Sequence, residues 1–312
     1  LAHAYGRGRI CHPFMLRSLA NHVARHVSTF STLQLSLVLW SLAELTVWPP
    51  HAVHEMCGEI LERIQSNSEM IPWHVAGRIA WAISVGNAVS QERNALLDEL
   101  VVAILSRQWD EKEIVAQWYD QDFGVGKMKP VGVKGEQVSD DGCIQMYHAY
   151  LAYAVNNTGN VPEAILKNKW IHAVKEKCIE AMDNSLSSSN LHDNVIRTTT
   201  KWMKEEISQK AMPSIVNEHV VDAGLVVDIA IPSWKVAIEV DGDHHWLYAQ
   251  NVDASGSLDN GRPEQIPIGA TVFKHHMLSQ LGWRVIAVSQ DPKTWNNIRF
   301  GLQDHVMKVK QQ

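Results

Sequence analysis

Through the N-terminal part of the chain, apolar side chains recur at three- and four-residue intervals. Leu16, Leu19, Ala20, Val23 and Val27 form one such stripe, which predicts an amphipathic helix from His12. Ser28-Thr29 breaks the pattern, and Ser31 or Thr32 suits the cap of a second helix over 33–45. That segment is apolar on most of its surface, as a buried helix would be, and Trp48-Pro49-Pro50 ends it. The pattern then repeats. Met15, Leu19, Val23 and Trp40 reappear at a constant displacement as Met56, Ile60, Ile64 and Trp81, and a third unit opens with Leu97, Val101 and Leu105 before fading after Ile114. A helix pair repeated about every 40 residues predicts an α-solenoid, in which each pair buries its apolar stripe on the next.

Ahead of the first helix, residues 1–11 contain Gly6 and Gly8 and read as a flexible basic arm. The helical domain spans 12–182, interrupted over 120–141 by a Gly- and Lys-rich loop. Its last helices fall at 144–155 and 162–182, the latter opened by Pro162. Residues 183–212 read as a Ser-rich linker followed by a helix, 192–211, with Arg197, Lys201 and Lys204 on one face. Pro213 marks the start of a final domain, 213–312.

There the period changes from helical to alternating. Val227, Ile229 and Ile231 alternate with Asp228 and Ala230, and Pro232-Ser233 ends the run. In the next strand Val236, Ile238 and Val240 take one face, while Ala237, Glu239 and Asp241 take the other. Residues 247–267 read as a loop, 271–281 as a helix closed by Gly282, 283–288 as a strand and 293–308 as a final helix. Strand, strand, helix, strand, helix is an α/β arrangement.

Acids gathered on one sheet face raise each other's pKa unless a cation or several N–H donors share them. Asp228, Glu239 and Asp241 therefore need a partner. A divalent cation is one answer: two carboxylates holding Mg²⁺ is the arrangement of metal-dependent nucleases, and His244 or His245 is placed to act as a base. Lys274 neutralising Glu239 is the other. Lys274, His275 and His276 also stand near a helix start, where phosphate is favoured. Trp246, Tyr248 and Trp283 are stacking candidates, with Trp246 the more exposed and Trp283 packed beneath the helix.

Composition narrows the field. With a net charge of −6, the 312-residue chain does not coat nucleic acid with its whole surface, so any such contact is local. Its 4 cysteines lack paired spacing and read as buried core residues. The pairs His22/His26 and His51/His54 lack a third ligand nearby, so no metal is assigned to them. No apolar run is long enough to span a bilayer. From Leu1 to Ala43 there is no acid, while Arg7, Arg9, Arg17 and Arg25 are present. This is the bias left near an organellar targeting sequence, or of a basic arm on RNA.

The blocks Val227-Asp228-Ile229-Ala230-Ile231-Pro232, Ala237-Ile238-Glu239-Val240-Asp241-Gly242, Gly269 to Lys274 with Leu278, and Leu281-Gly282-Trp283-Arg284-Val285-Ile286 with Trp295 occur in an order that resembles the RAP domain, the family of RNA-binding domains abundant in apicomplexans. The resemblance covers about 215–309. It departs at His275-His276, where basic residues are common, at Asp243, where proline is common, and in the enlarged segment 251–267. It implies a small restriction-endonuclease-like α/β domain behind degenerate helical repeats, in proteins that act on RNA in organelles. Where restriction-type nucleases carry a Lys on the strand, this chain has Asp241; Glu-x-Asp-Gly with a following His is instead similar to mismatch-repair nicking nucleases.

The expectation is an N-terminal helical repeat-like (solenoid) domain followed by a restriction-endonuclease-like α/β domain, acting as a mitochondrial (alternatively plastid) RNA-binding protein. Its setting would be a large ribonucleoprotein such as the mitochondrial ribosome, with RNA (rRNA foremost) and neighbouring subunits as partners, and with no cofactor, membrane or small-molecule substrate. The RNA contacts would be Arg7, Arg9, Arg197, Lys201, Lys204, Trp246, Lys274, His275 and His276. The alternatives are a Mg-dependent nuclease built on Asp228, Glu239, Asp241, His244 and His245, and a protein scaffold on a relic nuclease fold.

Overall fold

A computed structural model of the chain describes residues 1–69, 71–92, 94–109, 141–171, 173–176, 178, 190–207, 211–221, 223–249, 264–289 and 291–310. The expected loop at 120–141 lies almost wholly outside them. The chain is mixed α/β and divides into two compact units: Leu1–Ala181 with Leu247–Phe273, and Met182–Trp246 with Lys274–Gln312. Among the described residues, no helix is long and apolar enough to cross a membrane.

In the first unit, α1 (Ala2–Gly8), α2 (Pro13–Arg25), α3 (Thr32–Glu44), α4 (Pro50–Gln65), α5 (Trp73–Ser90), α6 (Ala95–Ser106), α7 (Asp141–Asn156) and α8 (Glu163–Leu166) follow one another. α2, α4 and α6 lie side by side, as do α1, α3, α5 and α7, so successive helices alternate between two rows. The local signals explain the starts. Ser31 and Gln34 form a capping box at α3, and Pro50 takes the first position of α4. Leu35, Leu39, Leu42, Ile79 and Ile83 are fully buried, as the nearly all-apolar surfaces of α3 and α5 require.

Three expectations change in this unit. Residues 2–8 are not a loose arm but a helix packed on α3, where Gly6 leaves room for the Trp40 ring. The single helix expected over 162–182 breaks at Lys167-Asn168, because the Asn168 amide donates to the carbonyls of Leu105 (2.7 Å) and Arg107 (3.3 Å) at the end of α6. The segment read as a loop over 247–267 contributes β5 (Trp246–Ala249) and β6 (Glu264–Pro267), which complete a three-stranded sheet with β1 (Ile10–Cys11) in the order β1-β5-β6. β1 runs parallel to β5.

The second unit is built on a mixed sheet in the order β2-β3-β4-β7. β2 (Val216–Val220), β3 (Val226–Ile231) and β4 (Val236–Asp241) are antiparallel neighbours, and β7 (Arg284–Ser289) runs parallel to β4. β2 was not anticipated from the sequence. One sheet face carries Ile229, Ile231, Val236, Ile238, Val240, Ile286 and Val288, covered by α9 (Asn190–Glu206) and α11 (Asn296–Lys310). Val195, Met203 and Trp202 of α9 are buried there, so this helix belongs to the sheet domain and not to a linker before it. Each such side chain fully buried contributes roughly 1.5–3 kcal/mol relative to exposure. The connection from β4 to β7 carries α10 (Gly269–Gln280), which ends at Gly282 with φ 81° and the Trp283 N–H bonded back to Leu278, the left-handed cap expected from the sequence.

Candidate functional site

The strand period that buries Ile229 and Ile238 on one face sends Asp228, Glu239 and Asp241 to the other. Ile229 pairs with Ile238, so the register brings Asp228 opposite Glu239. There the Asp228 carboxylate accepts the Val240 backbone N–H at 2.7 Å, a bond a ladder carbonyl would otherwise accept.

From α10, the Lys274 ammonium donates to Glu239 Oε2 and lies 4.0 Å from Asp228 Oδ1. Lys274 keeps 27% of its side chain in contact with solvent, while Glu239 is only 2% and Asp241 3% exposed. The arrangement is one cation against three acids. Among the described residues, Glu239 Oε1 and Asp241 Oδ2 are buried with no hydrogen-bond partner.

Burial pushes the Glu239 carboxyl up to about 7; Lys274 opposes the shift, and the negative charges of Asp228 and Asp241 add to it. Asp241 rises to about 6 for the same reason, burial first and Asp228 next. Burial alone would lower Lys274, but Glu239 and Asp228 outweigh it and hold the ammonium above the usual lysine range. The cluster therefore titrates as a unit, with the proton beyond what Lys274 neutralises held near neutral pH.

Four histidines ring these groups. His245 Nδ1 lies 3.8 Å from Asp241 Oδ1, and its ring centre is 4.1 Å from that of His244. Burial lowers His245 and His275 to about 4, so both are neutral at physiological pH. His192, on α9, brings Nε2 to 3.9 Å from Asp228 Oδ2. Sequence reasoning missed His192: it lies in a different element from every acid, and only the packing of α9 on the sheet brings it in.

Of the other expected site residues, Lys274, His275 and His276 do not stand at a helix start. α10 begins at Gly269, which places Lys274 in its second turn, committed to Glu239, with His275 and His276 half-buried. Trp246 is half-buried too, against the expectation of an exposed ring. Trp283, also half-buried, packs its ring 5.8 Å from His219 at the sheet edge. Arg197, Lys201 and Lys204 are exposed and line one shallow groove along α9 together with Thr200 and Asp193. In the first unit, Arg9 is directed to a structural task. Buried Glu44 is raised by desolvation, and the charge of Arg9 and the Ala270 N–H pull it back. Arg7 is exposed on α1.

Among the described residues, no three His, Cys, Asp or Glu side chains are arranged to hold a metal ion. No protein-family model matches the chain, and no curated protein matches it.

Proposed function

We propose that the chain binds RNA without cleaving it, as a subunit of an organellar ribonucleoprotein such as the mitochondrial ribosome. In this reading its second unit is a RAP-like, restriction-endonuclease-like domain. The observation that carries the reading is the row of Arg197, Lys201 and Lys204, all exposed on one face of α9 in a chain whose net charge is −6. Phosphate contacts dominate affinity for nucleic acid, so a local row of cations is what an acidic protein needs. The pairing of Lys274 with Glu239 supports binding over hydrolysis, because the acids already have a cation. The order β2-β3-β4-β7, with a helix before it and one between β4 and β7, supports the restriction-endonuclease-like fold. The organellar setting rests on the family resemblance alone. The acid-free segment Leu1–Ala43 lies in α1, α2 and α3 of the helical unit, so its bias is a surface property of the folded protein.

Titration of a labelled single-stranded RNA by fluorescence anisotropy tests the reading. The wild-type chain binds with an affinity that falls as salt rises. The Arg197→Glu/Lys201→Glu/Lys204→Glu variant binds at least tenfold more weakly, with a log–log salt slope shallower by about 2 (roughly 0.7 per phosphate contact). Equal affinity in the two proteins overturns the assignment of the α9 face.

A second reading, a metal-dependent nuclease, is favoured by one observation: Glu239 Oε1 and Asp241 Oδ2 are buried oxygens without partners among the described residues. Asp228 and Glu239 would hold Mg²⁺, which when bound would polarise the phosphate and activate water. Lys274 would first have to leave Glu239. RNA cut in Mg²⁺ but intact in EDTA, with cutting lost in Asp228→Asn, would establish this reading in place of the first.

A further inference from the structure

We infer that the outer face of α2, in the first unit, is a second docking surface for single-stranded RNA. The inference rests on the proposal that the ligand is RNA. The buried side of α2 is Leu16, Ala20 and Val23; its exposed side carries Phe14, Arg17, Asn21, His22 and Arg25. Phe14 is 72% exposed, a large ring left in water at the first turn of the helix.

No acid occurs anywhere between Leu1 and Ala43, and among the described residues neither Arg17 nor Arg25 forms an ion pair. Among the described residues, Arg25 donates only to the Asn21 carbonyl of its own helix, at 3.3 Å. The two guanidinium groups are carried eight residues apart, about 12 Å along the axis at 1.5 Å per residue. The sign then reverses along the same row of helices: α4 exposes Glu55 and Glu62, and α6 exposes Glu99.

An acid-free strip of unpaired guanidinium groups beside an exposed aromatic ring matches a polyanion that also offers flat, stackable bases. Single-stranded RNA has both features. Duplex RNA offers no unstacked bases for Phe14 to meet, and is therefore the poorer occupant.

The test uses the full chain and the same labelled single-stranded RNA. Three proteins are compared with the wild type, after matching circular dichroism: Arg17→Gln/Arg25→Gln, Phe14→Ser, and the triple α9 variant. The paired Arg variant should bind at least fivefold more weakly, with a salt slope shallower by about 1.4, two phosphates at roughly 0.7 each. Phe14→Ser should lose at least fivefold with an unchanged slope. If both α2 variants bind as the wild type does while the α9 variant is weakened, the α2 surface is overturned and the RNA reading stands; an acidic protein face would then be its occupant. If the wild type does not bind RNA, both proposals fall together.

Discussion

Replacing Lys274 with methionine keeps the aliphatic stem and removes the charge. Glu239 and Asp241, 2% and 3% exposed, would then face Asp228 with no cation between them. Removing one partner of a buried ion pair typically costs 3–5 kcal/mol, because a charge is left uncompensated. Lys274 is 27% exposed, so water reaches part of the gap and screens the loss to about 2–3 kcal/mol at pH 8. The cost should shrink in acid. Glu239 and Asp241 already sit near 7 and 6 with the lysine present, so at pH 5 both are protonated in the variant and little uncompensated charge remains. Urea unfolding of wild type and Lys274→Met, followed by tryptophan fluorescence at pH 8 and pH 5, measures the difference. The transition reporting the second unit should shift to clearly lower urea at pH 8 and by less than half as much at pH 5. An equal shift at both pH values would mean that lost packing, and not charge, is responsible. No shift at pH 8 would refute the role of Lys274 as the counter-ion.

Four further outcomes follow from the same physics. Glu239 binds its proton more tightly folded than unfolded, so its contribution to stability is present below about 4.5 and lost as pH rises through about 7; the Glu239→Gln variant should lack that loss and be more stable than wild type at pH 8 in urea titrations. His245 and His275, lowered from 6.5 to about 4, act in the opposite sense, adding stability above 6.5 that disappears as pH falls; Asp241, raised to about 6, acts in the sense of Glu239, so two gains offset two losses and wild-type stability in urea titrations should change little between pH 5 and 6 and be level above about 7. A Cβ on Gly86 would stand 2.1 Å from the Trp48 ring, so Gly86→Ala should destabilise the first unit by about 1–3 kcal/mol despite alanine's better helix propensity; a gain in melting temperature would contradict the packing. Ser31→Ala removes the acceptor for the Gln34 N–H and should cost about 1 kcal/mol in the same unfolding assay.

The helices and the site's strands were legible because their signals are local. Ser31, Pro50 and Gly282 act within a turn, and the alternation of Val227, Ile229 and Ile231 fixes which face Asp228 takes. The convergence of Asp228, Glu239 and Lys274 was legible as one of two alternatives, since three acids on one sheet face demand a counter-charge. What the sequence hid is non-local. β5 and β6 exist because β1 lies elsewhere in the chain to pair with, and a two-residue strand at Ile10–Cys11 leaves no periodic trace. The break at Asn168 depends on carbonyls more than sixty positions earlier. His192 reaches Asp228 only because Val195 and Met203 bury α9 against the sheet. The placement of Lys274 in the second turn of α10 turned on where that helix begins, and Gly269 is a weak start signal.

Photo-crosslinking of the purified chain to single-stranded RNA containing 4-thiouridine, with the attached peptides mapped by mass spectrometry, reads out RNA contact at both helix faces at once. Adducts are expected on peptides from α9, around Arg197 to Lys204, and from α2, around Phe14 to Arg25, with the RNA recovered at full length in Mg²⁺. Adducts absent at low salt, or an RNA shortened in Mg²⁺ and intact in EDTA, would contradict RNA binding without cleavage.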